Sequence, residues 1–146
     1  MQNSIQYAGD VDAKTAHDAI AEQDGAVLVD VRTQAEWTFV GVPDLRALGG
    51  EPLFVEWQSL PPAQPVKDFV GDLAKKISAK GLDQSAQIYF LCRSGVRSQS
   101  AAIAMTQAGY AHCYNIAGGF EGPLDQDGHR GTQSGWKAAG LPWIQN

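Results

Sequence analysis

An α/β domain built on a buried, parallel sheet is the fold class this sequence predicts, and three stretches predict it. Ala26-Val27-Leu28-Val29-Asp30-Val31 is a continuous apolar run rich in β-branched residues, the pattern of a strand covered on both faces. Gln87-Ile88-Tyr89-Phe90-Leu91 is a second such run, and it passes directly into the small polar stretch Cys92-Arg93-Ser94-Gly95-Val96-Arg97-Ser98. The helical pattern from Ser100 to Ala108 follows at once.

In chain order, Asp12 is the expected N-cap of a helix through Ala16, Ala19 and Ile20, with Gly25 placed to end it in a left-handed conformation. The 26–31 strand comes next. Leu53-Phe54-Val55-Glu56-Trp57 reads as a short strand closed by Pro61-Pro62 and Pro65, with Trp57 a core aromatic before it is a pocket wall. Val66, Phe69, Val70, Leu73 and Ile77 share one helical face, Lys75, Lys76 and Lys80 suit the negative end of the helix dipole, and Gly81 stops the helix. Beyond the polar loop, Ala101, Ala102, Met105 and Ala108 let a helix lie close to the sheet before Gly109 caps it. Ala111 to Ile116 reads as the next strand.

The 146 residues suit one domain, 1–146, large enough to bury a core without disulfides or metals. With 44% hydrophobic and 18% charged residues the chain is not of disordered type. A net charge of -5 leaves no basic stripe for a nucleic-acid partner. The first seven residues carry neither a basic nor an apolar leader, and no stretch is long enough to span a membrane, so a cytoplasmic location is expected. Cys92 and Cys113 are then both expected to be reduced.

A strand that ends in a polar loop and feeds a helix aims loop N–H groups and the helix N-terminus at one spot, which makes an anion cradle. Cys92 sits at that spot with Arg93 and Arg97 close by, and such surroundings favour the thiolate, the nucleophilic form. Cys113, mid-strand, reads instead as a buried, protonated thiol. Asp125, Asp127 and His129 lack further ligands at metal spacing, and the Asp-Gln-Asp-Gly run lacks the terminal Glu of a calcium loop, so no metal is expected.

The loop Cys92-Arg93-Ser94-Gly95-Val96-Arg97-Ser98 resembles the active-site loop of the rhodanese sulfurtransferases, Cys-Arg-x-Gly-x-Arg-Ser. Asp30-Val31-Arg32 with Glu36 and Gly118-Gly119-Phe120-Glu121 are similar to two further family signatures. The resemblance implies a three-layer α/β/α rhodanese-like domain with a central, mainly parallel sheet. It also implies that Cys92 accepts sulfane sulfur from thiosulfate or a similar small anionic donor as a persulfide, then passes it to cyanide or a thiol. That thiol belongs to a small molecule or a thioredoxin-like protein, and no cofactor is required. Arg93 and Arg97 are expected to orient the donor or tie down the loop; Asp30, Arg32 and Glu36 are expected to brace the loops.

The four residues Arg93 to Val96 between Cys92 and Arg97 favour sulfur over phosphate, because related phosphatases resemble this fold but have five. Alternatives that remain are a persulfide carrier, a partner-docking module without activity and, least favoured, such a phosphatase. The family's Gly-His-Ile-Pro-Gly-Ala turn is altered here to Gly41-Val42-Pro43-Asp44, without the His. The family's Trp-bearing last helix is expected at Gly135-Trp136-Lys137-Ala138-Ala139-Gly140, after an inserted loop at 122–134. A long loop of that kind is usually functional or mobile; two readings stay open for this one, a solvated surface loop, or a loop that folds over the active-site mouth and offers Arg130, beside His129, to an incoming anion.

Overall fold

A computed structural model of the chain describes residues 6–59, 64–65 and 68–145. In chain order the elements are β1 (Gly9–Val11), α1 (Ala13–Glu22), β2 (Ala26–Asp30), α2 (Gln34–Phe39), β3 (Val42–Pro43), a 3₁₀ turn (Arg46–Leu48), β4 (Leu53–Phe54), β5 (Gln58–Ser59), β6 (Gln64–Pro65), α3 (Phe69–Ala79), β7 (Gln87–Leu91), α4 (Val96–Gln107), β8 (Cys113–Ile116) and β9 (Trp143–Ile144). The central sheet has the order β1-β8-β7-β2-β4, and every pair in it is parallel.

Burial explains why the apolar runs became its middle. All five residues of β2 are buried, as are four of the five in β7, so neither strand has a solvent face to mark with polar residues. One face carries Val27, Val29, Ile88, Phe90 and Cys113 against Phe69, Leu73 and Ile77 of α3 and Ala101, Ala102 and Met105 of α4. The other carries Leu28, Tyr89, Leu91 and Ile116 against Ala13 and Ala16 of α1 and the wholly buried Trp136. Helix layers on both faces of a parallel sheet are the expected architecture.

Capping sets several boundaries. Asp12 accepts the backbone N–H of Thr15 at 2.7 Å and starts α1. Thr33 and Glu36 form a reciprocal capping box that starts α2. Gly81 and Gly109, both with positive φ, follow α3 and α4.

Four expectations need correction. Gly25 does not end α1 in a left-handed turn: the helix stops at Glu22, and Gln23 is extended and donates its N–H to Ala19. The 53–57 strand is only Leu53–Phe54, since Val55 and Trp57 donate to carbonyls of Asp30 and Val31 outside a regular ladder. The last central strand begins at Cys113 and not at Ala111.

The expected final helix at 135–140 is a run of turns. Trp136 donates its backbone N–H to Gly119 and Lys137 to Phe120, so the start of the segment is tied to the neighbouring loop, and only the turn bonds of Ala139 to Gly135, Gly140 to Lys137 and Leu141 to Trp136 lie within it. Trp136 is nonetheless fully buried, its Nε1 donating to the carbonyl of Pro142 at 2.6 Å. Val66 and Pro61-Pro62 lie outside the described residues. Trp57 takes the core reading, meeting Phe69 edge-on at 5.1 Å.

Candidate active site

The site lies where the central strands end. Cys92 follows β7 directly, Asp30 closes β2, and α4 begins at Val96, so the 92–98 loop bridges the sheet and the helix N-terminus as anticipated. Gly95 is left-handed, with φ 112°, and no side chain caps the first turn of α4. The turn this requires points the Gly95 N–H at Cys92 Sγ, 3.1 Å away. Cys92 is 1% exposed, so its sulfur sits beneath the loop.

A second layer of backbone locks the loop from above. Phe120 donates its N–H to the Cys92 carbonyl at 2.7 Å, and Glu121 and Gly122 both donate to the Arg93 carbonyl at 3.0 Å. The approach is too close for any side chain at residue 119. A Cβ there would collide with the Cys92 carbonyl and lie 2.6 Å from that of Arg93, and φ is +60° as well. Gly118-Gly119-Phe120-Glu121 is therefore the clamp of the loop.

The two arginines of the loop differ in their commitments. Arg97 makes a forked pair with Glu36 of α2, at 2.6 and 2.9 Å, both side chains being mostly buried. Burial pushes the Glu36 carboxyl up, but its bonds to Arg97 and to the capping Thr33 outweigh that and bring it down to about 2. The same pair raises Arg97. Arg97 therefore ties the loop to α2. Arg93 is exposed, and its side chain has no hydrogen-bond or ion-pair partner among the described residues.

Asp30 and Arg32 form a second pair, fully buried, with guanidinium-carboxylate contacts of 2.7 to 3.2 Å. Arg32 also donates to the Gly41 carbonyl at 2.8 Å, and its guanidinium lies 4.2 Å from the Phe120 ring centroid. These residues brace the segments after β2 and beneath Phe120.

An open cleft beside the loop is lined by Thr33, Glu36, Val40, Gln58, Arg93, Arg97, Glu121 and Arg130. Arg130 thus shares a cleft with both loop arginines, its Nη1 donating to the Gly122 carbonyl at 2.7 Å. His129 is exposed and is not part of the lining. The insertion that carries Arg130 has no helix or strand and is organised around Asp125, which accepts the N–H groups of Asp127 and His129 and the Thr132 hydroxyl.

Cys113 lies in β8 away from the loop, wholly buried, and burial pushes its thiol up to about 11. It donates to the Tyr110 carbonyl. Asn115, which meets Ser98, and Thr33, Val40 and Gln58, which line the cleft, were given no role in the sequence reading, and Glu121 entered it only within the Gly118-Gly119-Phe120-Glu121 signature. The signal for Asn115 was present, since an amide inside an otherwise apolar strand needs a buried partner.

This geometry is that of a rhodanese-like protein: a parallel sheet between helix layers, with a cysteine loop joining the central strand to a helix. Residues 8–146 match the family described as the STR4 middle domain, and the chain belongs to that family. Its curated relatives include an uncharacterized protein of Rickettsia rickettsii, 44% identical over 88% of this chain and 90% of that protein. Rhodanese-like domain-containing protein 4, chloroplastic, from Arabidopsis thaliana is 29% identical over 91% of this chain, which spans 25% of that longer protein.

Among solved structures, the crystal structure of Rv0390 from M. tuberculosis superposes with a TM-score of 0.86 at 45% identity, covering 96% of this chain and 99% of that one. The polysulfide-sulfur transferase homodimer of Wolinella succinogenes shares the fold, with a TM-score of 0.58 at 22% identity over 94% of this chain and 78% of that one. Among the described residues no helix is long and apolar enough to cross a membrane.

Proposed function

We propose that this protein is a sulfurtransferase whose carrier atom is the sulfur of Cys92. The observation that carries the reading is the Gly95 N–H aimed at Cys92 Sγ from 3.1 Å, at the uncapped N-terminus of α4. A donor N–H and a helix N-terminus favour negative charge on that sulfur. The cleft beside the 92–98 loop offers Arg93 and Arg130 to an anion.

The reaction runs in two displacements. The Cys92 thiolate attacks the outer sulfur of thiosulfate or a similar donor; a new S–S bond forms, the donor's S–S bond breaks, and sulfite leaves with the electron pair. The outer sulfur of the Cys92 persulfide is then attacked by cyanide or a thiolate, and the Cys92 thiolate departs. Arg93 and Arg130 hold the donor's anionic end, while Arg97, engaged by Glu36, keeps the loop in place. The acceptor thiol is that of a small molecule or of a thioredoxin-like protein, and the chemistry calls for no cofactor.

Steady-state assays with thiosulfate and cyanide test this reading. Parallel lines in double-reciprocal plots, thiocyanate as product and loss of both in Cys92→Ser are expected. Hydrolysis of an aryl phosphate with no thiocyanate formed would overturn it in favour of a phosphatase, and neither activity would leave a docking module.

A further inference from the structure

Behind Cys92 a chain of hydrogen bonds runs through the protein to its surface. Ser98 Oγ is 3.1 Å from Cys92 Sγ and 2.5 Å from Asn115 Oδ1. Asn115 Nδ2 lies 3.0 Å from Asp10 Oδ1. Asp10 in turn accepts from the Tyr7 hydroxyl at 2.9 Å, which itself accepts from Gln99 Nε2 at 2.8 Å. Ser98 and Asn115 are buried and Asp10 is exposed. Asp10 and Asn115 are paired across β1 and β8, so their side chains stand next to each other on the sheet face that meets α4.

The direction of each bond follows from what each group can do. A carboxylate oxygen only accepts, so the Asn115 amide nitrogen must face Asp10 and its oxygen must face Ser98. An amide oxygen also only accepts, so the single Ser98 hydroxyl hydrogen is taken by Asn115. What Ser98 presents to Cys92 is a lone pair. It therefore accepts the thiol proton of Cys92 and has nothing to donate to a thiolate. A bond of that sense favours the neutral thiol, in opposition to the Gly95 N–H, which favours the charged form.

We infer that Asn115, oriented by Asp10, is a positioning residue that sets the direction of the Ser98 hydroxyl and so restrains ionisation of Cys92 until that hydroxyl turns. When the thiol loses its proton to water, the Ser98 hydroxyl rotates; its bond to Asn115 breaks and a bond to Sγ forms. The same turn supplies a donor to a persulfide. No electrons move in the rotation, and the one proton released goes to solvent. This deepens the sulfurtransferase reading and rests on it only for the persulfide; the restraint on the thiol stands without it.

Among the described residues, the other charged groups near the loop are Arg93, Arg97 of α4 with Glu36 of α2, the Asp30–Arg32 pair after β2, and Glu121 and Arg130 in the cleft beside it. All are left in place by the substitutions that test the inference. The readout is the pH midpoint of Cys92 ionisation, followed by ultraviolet thiolate absorbance and by iodoacetamide alkylation. Cys113, pushed up to about 11, stays protonated through the window.

Asn115→Leu frees the Ser98 hydrogen and is expected to lower the midpoint by about one pH unit, the size of one hydrogen bond. Asp10→Ala, at an exposed position whose loss leaves the core intact, is expected to lower it by less. In a Ser98→Ala background neither change should move the midpoint further. An unmoved midpoint in Asp10→Ala together with either an unmoved midpoint or an unfolded chain for Asn115→Leu overturns the inference; so does an equal shift in the Ser98→Ala background. A thiosulfate adduct measured in parallel separates the two readings, because its absence with the shifts intact removes sulfur transfer alone.

Discussion

Glu36 and Arg97, 61 residues apart in sequence, close a forked ion pair that joins α2 to the first turn of α4. Both contacts come from one guanidinium to the two oxygens of one carboxylate. Glu36 is also the N3 residue of the capping box of α2, so the loop around Cys92 is tied to the start of a second helix. Arg97, which the family signature suggests either for orienting the donor or for tying down the loop, is engaged by Glu36 in this structure while still lining the cleft.

Arg97→Lys should consequently behave as a disruptive change. A lysine cannot reproduce the fork. We expect sulfur transfer to fall by roughly tenfold in kcat/KM, with Glu36→Gln giving a similar loss and the double variant little more than either alone, as residues of one network do. A double-mutant cycle on the thiosulfate assay measures this.

The pair also sets a pH dependence of stability. The folded carboxyl of Glu36 is held at about 2 against an ordinary 4.5, so its contribution is fully present above about 4.5 and is lost as pH falls toward about 2. The contribution is at most about 3 kcal/mol. Thermal unfolding between pH 5 and pH 2 (roughly the window given by the shift) should show a falling Tm, and Glu36→Gln should flatten that slope.

Arg130 is expected to act through donor binding. Arg130→Ala should raise KM for thiosulfate by severalfold with kcat little changed, since binding is lost equally in ground and transition states. An unchanged KM would assign Arg130 to holding the Gly122 carbonyl and nothing more.

Gly119→Ala tests the backbone clamp. The added methyl meets the carbonyls of Cys92 and Arg93 and a positive φ, so a loss of roughly 2 to 4 kcal/mol is expected in denaturant unfolding. Gly128→Ala, also at positive φ but with open space around it, should cost about 1 kcal/mol.

Much of this was legible before the structure, and the physical reason differs from part to part. The central strands announced themselves because burial on both faces leaves Val27, Val29, Ile88 and Phe90 no reason to alternate with polar residues. Cys92 was conspicuous because a run of Arg, Ser, Gly and Arg after an apolar strand makes a poor core segment and a good anion loop. The 135–140 segment misled because Trp136, Ala138 and Ala139 fit a helix locally, while the N–H groups of Trp136 and Lys137 are drawn to the carbonyls of Gly119 and Phe120 and the segment makes turns in place of a helix.

The commitment of Arg97 to Glu36 and the reach of Asn115 to Ser98 were not legible for another reason. Each depends on elements far apart in sequence meeting at the ends of the same strands. Pair identity of that kind resides in topology, which local pattern does not record.

The most direct measurement of the central claim is the intact mass of the protein after incubation with thiosulfate and removal of excess reagent. The account predicts a gain equal to one sulfur atom, discharged by cyanide, retained in Cys113→Ser and absent in Cys92→Ser. A wild-type mass that does not change, or a gain that survives replacement of Cys92, would contradict it.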